Sequence, residues 1–216
     1  MNVALVPVIE IYCIDDTIKM PNGSWHEYPA EWEQYHRQCN KMAGFTELLN
    51  EAFPGSSLYR VTDLTTLTLR QLLLNAITKM KEDELDMEDL GPFSGGFILQ
   101  LNGENKLLPQ CCSDLLVIHE WEKLVNDYNG YFWQGHPSPL VTVEGDVITF
   151  NVEQRAPESE QFFPPLPDKL IVVNRLHLKT AIDRAKSELL EFANRLLAIE
   201  QAEGWCVEGI VKMLVG

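Results

Sequence analysis

The chain has 216 residues, 45% of them hydrophobic and 23% charged, enough apolar material for a sizeable core and too little charge for wholesale disorder. The imbalance lies in sign: 17 Lys and Arg stand against 32 Asp and Glu, a formal net charge of −15 at pH 7. Such a surface repels phosphate backbones and anionic lipid and attracts basic ligands, so the expected partner is a basic protein, with no nucleic acid and no membrane.

In chain order, Val3 to Ile14 is dense in Val, Ile and Leu, the composition of a strand, and Pro7, which has no N–H, is expected to confine it to an edge or divide it. Pro21-Asn22-Gly23-Ser24 marks a turn. Pro29 to about Met42 reads as a helix, with Trp32, Tyr35, Cys39 and Met42 at spacings of three and four and therefore assigned to the core. Phe45 to Phe53 is expected to continue helically until Pro54-Gly55 stops it. Asp63 or Thr65 then caps a helix reaching about Lys81, whose apolar stripe is Leu69, Leu72, Leu73, Ile77 and Met80. Six of the eight residues from Glu82 to Asp89 are acidic, and like charge at that density predicts a solvated loop or a frayed helix end.

After the glycine-rich break Gly91 to Gly96 comes "FILQLNGENKLL", two apolar runs flanking Asn102-Gly103, the dipeptide that accepts positive φ at both centres of a tight hairpin turn. Its second strand ends at Pro109, and Ser113 or Asp114 is placed to cap a helix from Asp114 to about Asn126 with Val117, Trp121, Leu124 and Val125 inward. A second hairpin is predicted from Leu140–Glu144 and Val147–Val152, turning at Glu144-Gly145-Asp146. Residues 153–168 form a proline-rich surface loop in which Phe162 and Phe163 are expected to pack.

Leu176 to Gln201 has the clearest periodicity: Leu178, Ile182, Ala185, Leu189, Phe192, Leu196 and Ile199 alternate steps of four and three, with Glu191 and Arg195 as an i,i+4 pair outside. Lying across a sheet, this helix suits one α+β domain; a coiled-coil seam at a homodimer interface is the competing use of the stripe. The tail Trp205 to Gly216 is apolar enough to dock as helix or strand. The elements define an α+β fold, a single domain over residues 1–216. Its sheet is largely antiparallel and built from hairpins, with helices packed on one side and a long C-terminal amphipathic helix.

Five cysteines, an odd number in a chain too long to need staples, read as reduced thiols and place the protein in the cytoplasm. The apolar opening has no positive flank, and Glu10 interrupts it, so neither a signal peptide nor a membrane span is expected. The pair Cys111-Cys112, followed by His119 and His136, raises the question of chemistry. In a strand, vicinal side chains point to opposite faces, which makes a shared zinc awkward, and buried structural thiols are the favoured reading. A thiol- or metal-dependent hydrolase using Cys112 with His119 or His136 is the alternative, because Cys112 stands beside a helix start that would favour a thiolate. No phosphate-binding loop, dinucleotide fingerprint, HExxH or GxSxG is present, and no cofactor is expected.

The cluster Tyr131, Phe132, Trp133 and His136 in "YFWQGHPSP" either caps the core, the preferred reading, or presents aromatic anchors to a partner. The candidate protein-contact residues are Glu82, Asp83, Glu84, Asp86, Glu88, Asp89, Trp133 and His136. The order helix, hairpin "GGFILQLNGENKLLPQ", helix "HEWEKL", hairpin and long terminal helix in an acidic chain resembles the SUKH superfamily over about the middle half of the sequence. That group is named partly for fungal cell-wall-synthesis regulators, and many bacterial members look like immunity proteins. The resemblance implies an α+β sheet with a concave protein-binding surface that occludes a toxin sterically. The reading is a non-catalytic acidic protein-binding module, an immunity or inhibitor protein for a basic toxin or nuclease, with a structural homodimer as a further alternative.

Overall fold

The computed structural model describes residues 2–82, 84, 87–126, 128–155, 161–205 and 207–216, Met87 and Glu88 by backbone alone. Its longest element follows directly from the strongest periodicity. Helix α5 spans Arg175–Glu203, and every member of the predicted stripe from Leu178 to Ile199 is buried within this single chain. Asn174 caps α5, its side-chain oxygen accepting from the backbone N–H groups of Leu176 (3.0 Å) and His177 (3.2 Å).

The fold is α+β, with two antiparallel sheets and a long C-terminal helix. In chain order the elements are β1 (Val3–Glu10), α1 (Pro29–Met42), β2 (Leu58–Arg60), α2 (Thr66–Glu82), α3 (Met87–Leu90), β3 (Gly95–Leu101) and β4 (Glu104–Leu107). There follow α4 (Ile118–Leu124), β5 (Gly130–Tyr131), β6 (Pro139–Glu144), β7 (Val147–Arg155), β8 (Leu170–Asn174), α5 and α6 (Ile210–Val215). One sheet has the order β2-β1-β3-β4 and the other β5-β6-β7-β8. The contacts group the chain into two compact units, residues 1–8 with 94–189 and residues 9–93 with 190–216.

In the first unit both predicted hairpins form. Leu101 pairs with Glu104 across Asn102-Gly103, whose φ values of 53° and 85° are those of the tight turn that dipeptide favours. Glu144 pairs with Val147 across the second turn. Trp121 of α4 meets Phe132 (ring centroids 4.6 Å) and Phe150 of β7 (5.8 Å), all three fully buried. Asp114 caps the entry to α4 through a 2.7 Å hydrogen bond from Leu116 N–H, while a single 3₁₀ turn, Leu115–Val117, precedes the α-helix. At the other end, the Arg175 guanidinium donates to the carbonyl of Val125 (2.6 and 2.9 Å), closing the helix terminus with a cation.

In the second unit Thr65 caps α2, its hydroxyl accepting from Thr68 N–H at 3.2 Å, and Leu69, Leu72, Leu73 and Ile77 are buried as the stripe requires, with Met80 half-buried. The tail resolves as helix: α6 buries Ile210, Val211, Leu214 and Val215, and Leu214 O accepts from Phe93 N–H at 2.9 Å.

Several expectations are corrected. β1 is flanked on both sides, so Pro7 does not mark an edge strand; β2 has only three residues against eight in β1, however, and pairs with only part of its length. Residues 45–53 are irregular, because the chain leaves α1 through Gly44 at φ +92°. The buried face of α1 is Tyr35, His36, Cys39 and Asn40, and Met42 is exposed. Phe162 packs, whereas Phe163 is exposed and held by its backbone, its N–H donating to the side chain of Gln110 at 2.9 Å. Arg195 does not use Glu191; it donates to the carbonyls of Leu64 and, at 3.5 Å, Val61. The short strands β2, β5 and β8 were not anticipated. Among the described residues no helix is long and apolar enough to cross a membrane.

The stripe on α5 carries a stability test. Leu196 is fully buried and Leu190 is 65% exposed. Leu196→Ala should lower the unfolding free energy by about 2–5 kcal/mol in denaturant titrations. Leu190→Ala should change it by less than about 0.5 kcal/mol. Equal effects at the two positions would mean that the buried face is wrongly assigned.

Candidate functional site

Cys111 and Cys112 do not lie in a strand. They are the two central residues of a turn closed by Ser113 N–H donating to Gln110 O at 3.1 Å, with Cys112 at φ +66°, the left-handed conformation that a type II turn needs at its third residue. A turn removes the alternation of faces, so the two sulfurs stand on one side, 3.4 Å apart. Both residues are exposed, which corrects the expectation of buried structural thiols; among the described residues that description fits Cys39, while Cys13 is half-buried. Cys206 lies outside the described residues.

The same turn is joined to "WQGHP". His136 N–H donates to Cys111 O at 2.9 Å and Gln110 N–H to Gln134 O at 3.1 Å. Gly135 makes the approach possible: a Cβ there would stand 2.5 Å from the carbonyl oxygens of both Gln110 and Cys111. The aromatic cluster divides between its two readings. Phe132 is core, whereas Tyr131, Trp133 and His136 are exposed, with the Trp133 and His136 rings 4.6 Å apart edge to face. His119 is engaged elsewhere, its Nδ1 lying 3.1 Å from Glu122, which Lys186 also meets. Among the described residues no group of three or more His, Cys, Asp or Glu is placed to hold a metal ion.

The acidic segment is solvated where it is described. Glu82 ends α2, Glu84 takes a positive φ of 52°, and Glu82, Glu84 and Asp89 are exposed. Asp83 and Asp86 lie outside the described residues, as does the side chain of Glu88.

Sequence reading missed two features of the second unit. One is an open groove of about 650 Å³ between the Lys19–Tyr28 segment and α1, lined among others by Met20, Glu27, Tyr28, Glu31 and Tyr35. Gly23, at φ +78°, lets the Tyr28 ring pack onto the backbone, since a Cβ there would stand 2.5 Å from it. The Ser24 hydroxyl donates to Glu27 at 2.7 Å and holds its carboxyl below the usual range, so it stays ionised. Tyr28 and Met20 are exposed beside it. This pairing of exposed aromatic and fixed carboxylate suits a basic side chain. Its only sequence signal was the Pro-Asn-Gly-Ser turn.

The other is Glu51. Partial burial pushes its carboxyl up to about 7, with Glu33 adding to the rise and the Gly55 N–H, 2.7 Å away, and Arg37 opposing it. Tyr59 and Asn40 complete the group, Asn40 donating to the Tyr59 hydroxyl at 3.2 Å. A carboxyl titrating near neutrality could serve as acid or base. The cavity it faces is only about 20 Å³, however, room for about one water and no substrate. Glu51 is accordingly a pH-sensitive structural group.

No family model, curated protein or solved structure matches the chain.

Glu51 generates a pH prediction. Its folded value of about 7 lies above the ordinary 4.5, so the folded state holds the proton more tightly, and the group's contribution is complete below 4.5 and lost as pH rises through 7. Glu51→Gln keeps an acceptor for Gly55 without the charge. Its stability relative to the unsubstituted protein should rise across pH 4.5–7 and then level, as read by unfolding midpoints. A difference independent of pH would show that Glu51 has an ordinary affinity for its proton.

Proposed function

We propose that this chain is a non-catalytic acidic protein-binding module that docks a basic polypeptide, in the manner of an immunity or inhibitor protein that occludes a basic toxin or nuclease. The observation that carries this reading is the excess of 32 carboxylates over 17 Lys and Arg, together with the use the fold makes of its cations. Arg37, Arg70, Lys106, Lys123, Lys179 and Lys186 each meet a carboxylate of the same chain, and Arg175 and Arg195 are spent on backbone carbonyls. Each ion pair neutralises one acid and removes one cation from the exterior, so the field presented to a partner comes from the remaining carboxylates.

Two surfaces support docking: the groove with Glu27, Tyr28 and Glu31, and the exposed segment Glu82, Glu84 and Asp89. Both present carboxylates that accelerate encounter with a basic partner, and the groove adds a concave surface for contact. The SUKH-like order of elements implies the same activity, steric occlusion by an α+β module. Reduced thiols and the lack of a predicted span favour the cytoplasm as its setting.

The test is affinity capture with the purified chain, in parallel with Glu27→Lys/Glu31→Lys and Glu82→Lys/Glu84→Lys variants. The expected result is retention of a discrete basic protein, lost on raising ionic strength from about 0.01 to about 1 M, which contracts the screening length from about 30 to about 3 Å. At least one variant pair should slow association about tenfold or more while leaving the unfolding midpoint unchanged. Retention that is indifferent to salt and to both reversals would reject the reading.

A further inference from the structure

We propose that Cys111 and Cys112 form a redox-active vicinal dithiol that closes to an intrachain disulfide by exchange with a low-molecular-weight disulfide. The inference is independent of any basic partner and rests on the turn itself. Two thiols adjacent in sequence are ordinarily kept apart by the backbone. Here the Gln110–Ser113 turn puts their sulfurs 3.4 Å apart on one side and exposes both. Bond formation shortens that separation to about 2.0 Å, a movement that side-chain rotation within the turn can supply.

The turn is held in place on both flanks. Gln110 N–H donates to Gln134 O, Cys111 O accepts from His136 N–H, and Gly135 lies too close to the Gln110 and Cys111 carbonyls to admit a Cβ. Cys112 is one of only three non-glycine residues at positive φ among the described residues, and unlike Asn102 it is not of a type that favours this region. A cysteine kept in the left-handed conformation where glycine is the usual choice is a strained position attached to a reactive group.

Exchange runs in two displacements. The thiolate of one cysteine attacks a sulfur of the small disulfide, forming a mixed disulfide and expelling one small thiolate. The neighbouring thiolate then attacks the protein-bound sulfur, forming the Sγ–Sγ bond and expelling the second. Two electrons pass from the protein to the small disulfide, and the two protons lost by the protein thiols end on the two small thiols. Adjacent Cα atoms are about 3.8 Å apart across a trans peptide, below the usual disulfide range of about 4.4–6.8 Å. The closed ring is therefore strained and reopens readily under excess thiol, as a regulatory disulfide must. Cys39, being buried, and Cys13, half-buried with its thiol pushed up by burial, lack this access.

The folded, reduced chain is incubated with oxidised glutathione, alkylated and digested with trypsin. The fragment Leu107–Lys123 carries Cys111 and Cys112 and no other cysteine. In the unsubstituted protein it should lose two hydrogens, carry no adduct and escape alkylation, and excess reduced glutathione should restore two alkylatable thiols. In Cys111→Ser or Cys112→Ser the same fragment should retain one glutathione, because the second displacement has no nucleophile. A doubly glutathionylated fragment, a fragment that stays fully alkylatable, or a bond to any other cysteine would overturn the proposal. Since the decisive signal is read on the unsubstituted chain, a variant that folds poorly leaves the test intact.

Discussion

Burial of one face of α5 is the constraint on which the rest of the structure depends. The helix passes from one compact unit into the other, Arg175–Leu189 belonging to the first and Leu190–Glu203 to the second. Leu178, Ile182 and Ala185 are buried on the first part of the helix, and Phe192, Leu196 and Ile199 on the second. Its 29 residues extend over about 44 Å at about 1.5 Å per residue. In the second unit Phe93 reaches Phe192 at 6.1 Å between ring centroids, and Arg195 ties Val61 and Leu64 to the same helix through their carbonyls. In the first, Arg175 and Lys186 hold it against α4 through Val125 O and Glu122. Polar anchors flank the stripe, so register along the helix is set by more than hydrophobic area.

Charge is organised rather than merely abundant. Isolated surface ion pairs contribute little to stability, about 0–1 kcal/mol each, so the pairing of Lys179 with Asp183 or Arg37 with Glu33 is weak as a stabilising device. Its larger consequence is for the exterior. With many cations committed locally, unbalanced carboxylates such as Glu82 and Glu84 lie on exposed segments. The groove beside α1 adds what a diffuse field lacks: a fixed carboxylate, Glu27, next to exposed Tyr28.

The Cys111-Cys112 turn shows how far local geometry decides chemistry. The same dipeptide in a strand would direct its sulfurs to opposite faces; in the turn they stand 3.4 Å apart on one side. The determining contacts come from another part of the chain, Gln134, Gly135 and His136.

Local signals determined much of this protein. Asn102-Gly103 specified a hairpin because its two residues accept positive φ, helix starts were marked by Asp63 or Thr65 and by Ser113 or Asp114, of which Thr65 and Asp114 satisfy free N–H groups, and the α5 stripe specified a buried face because its spacing follows the helical period. Net charge was legible outright. What only tertiary structure decided lies where a residue's environment comes from elsewhere in the chain. Pro7 reads as an edge residue yet sits in a flanked strand, because strand order depends on remote partners. The side-chain direction of Cys112 depends on a turn closed by Ser113 and locked by Gly135, and the raised proton affinity of Glu51 depends on burial beside Glu33 and Tyr59. Periodicity and capping act over a few residues and can be read from them; desolvation and strand neighbours are properties of the folded chain.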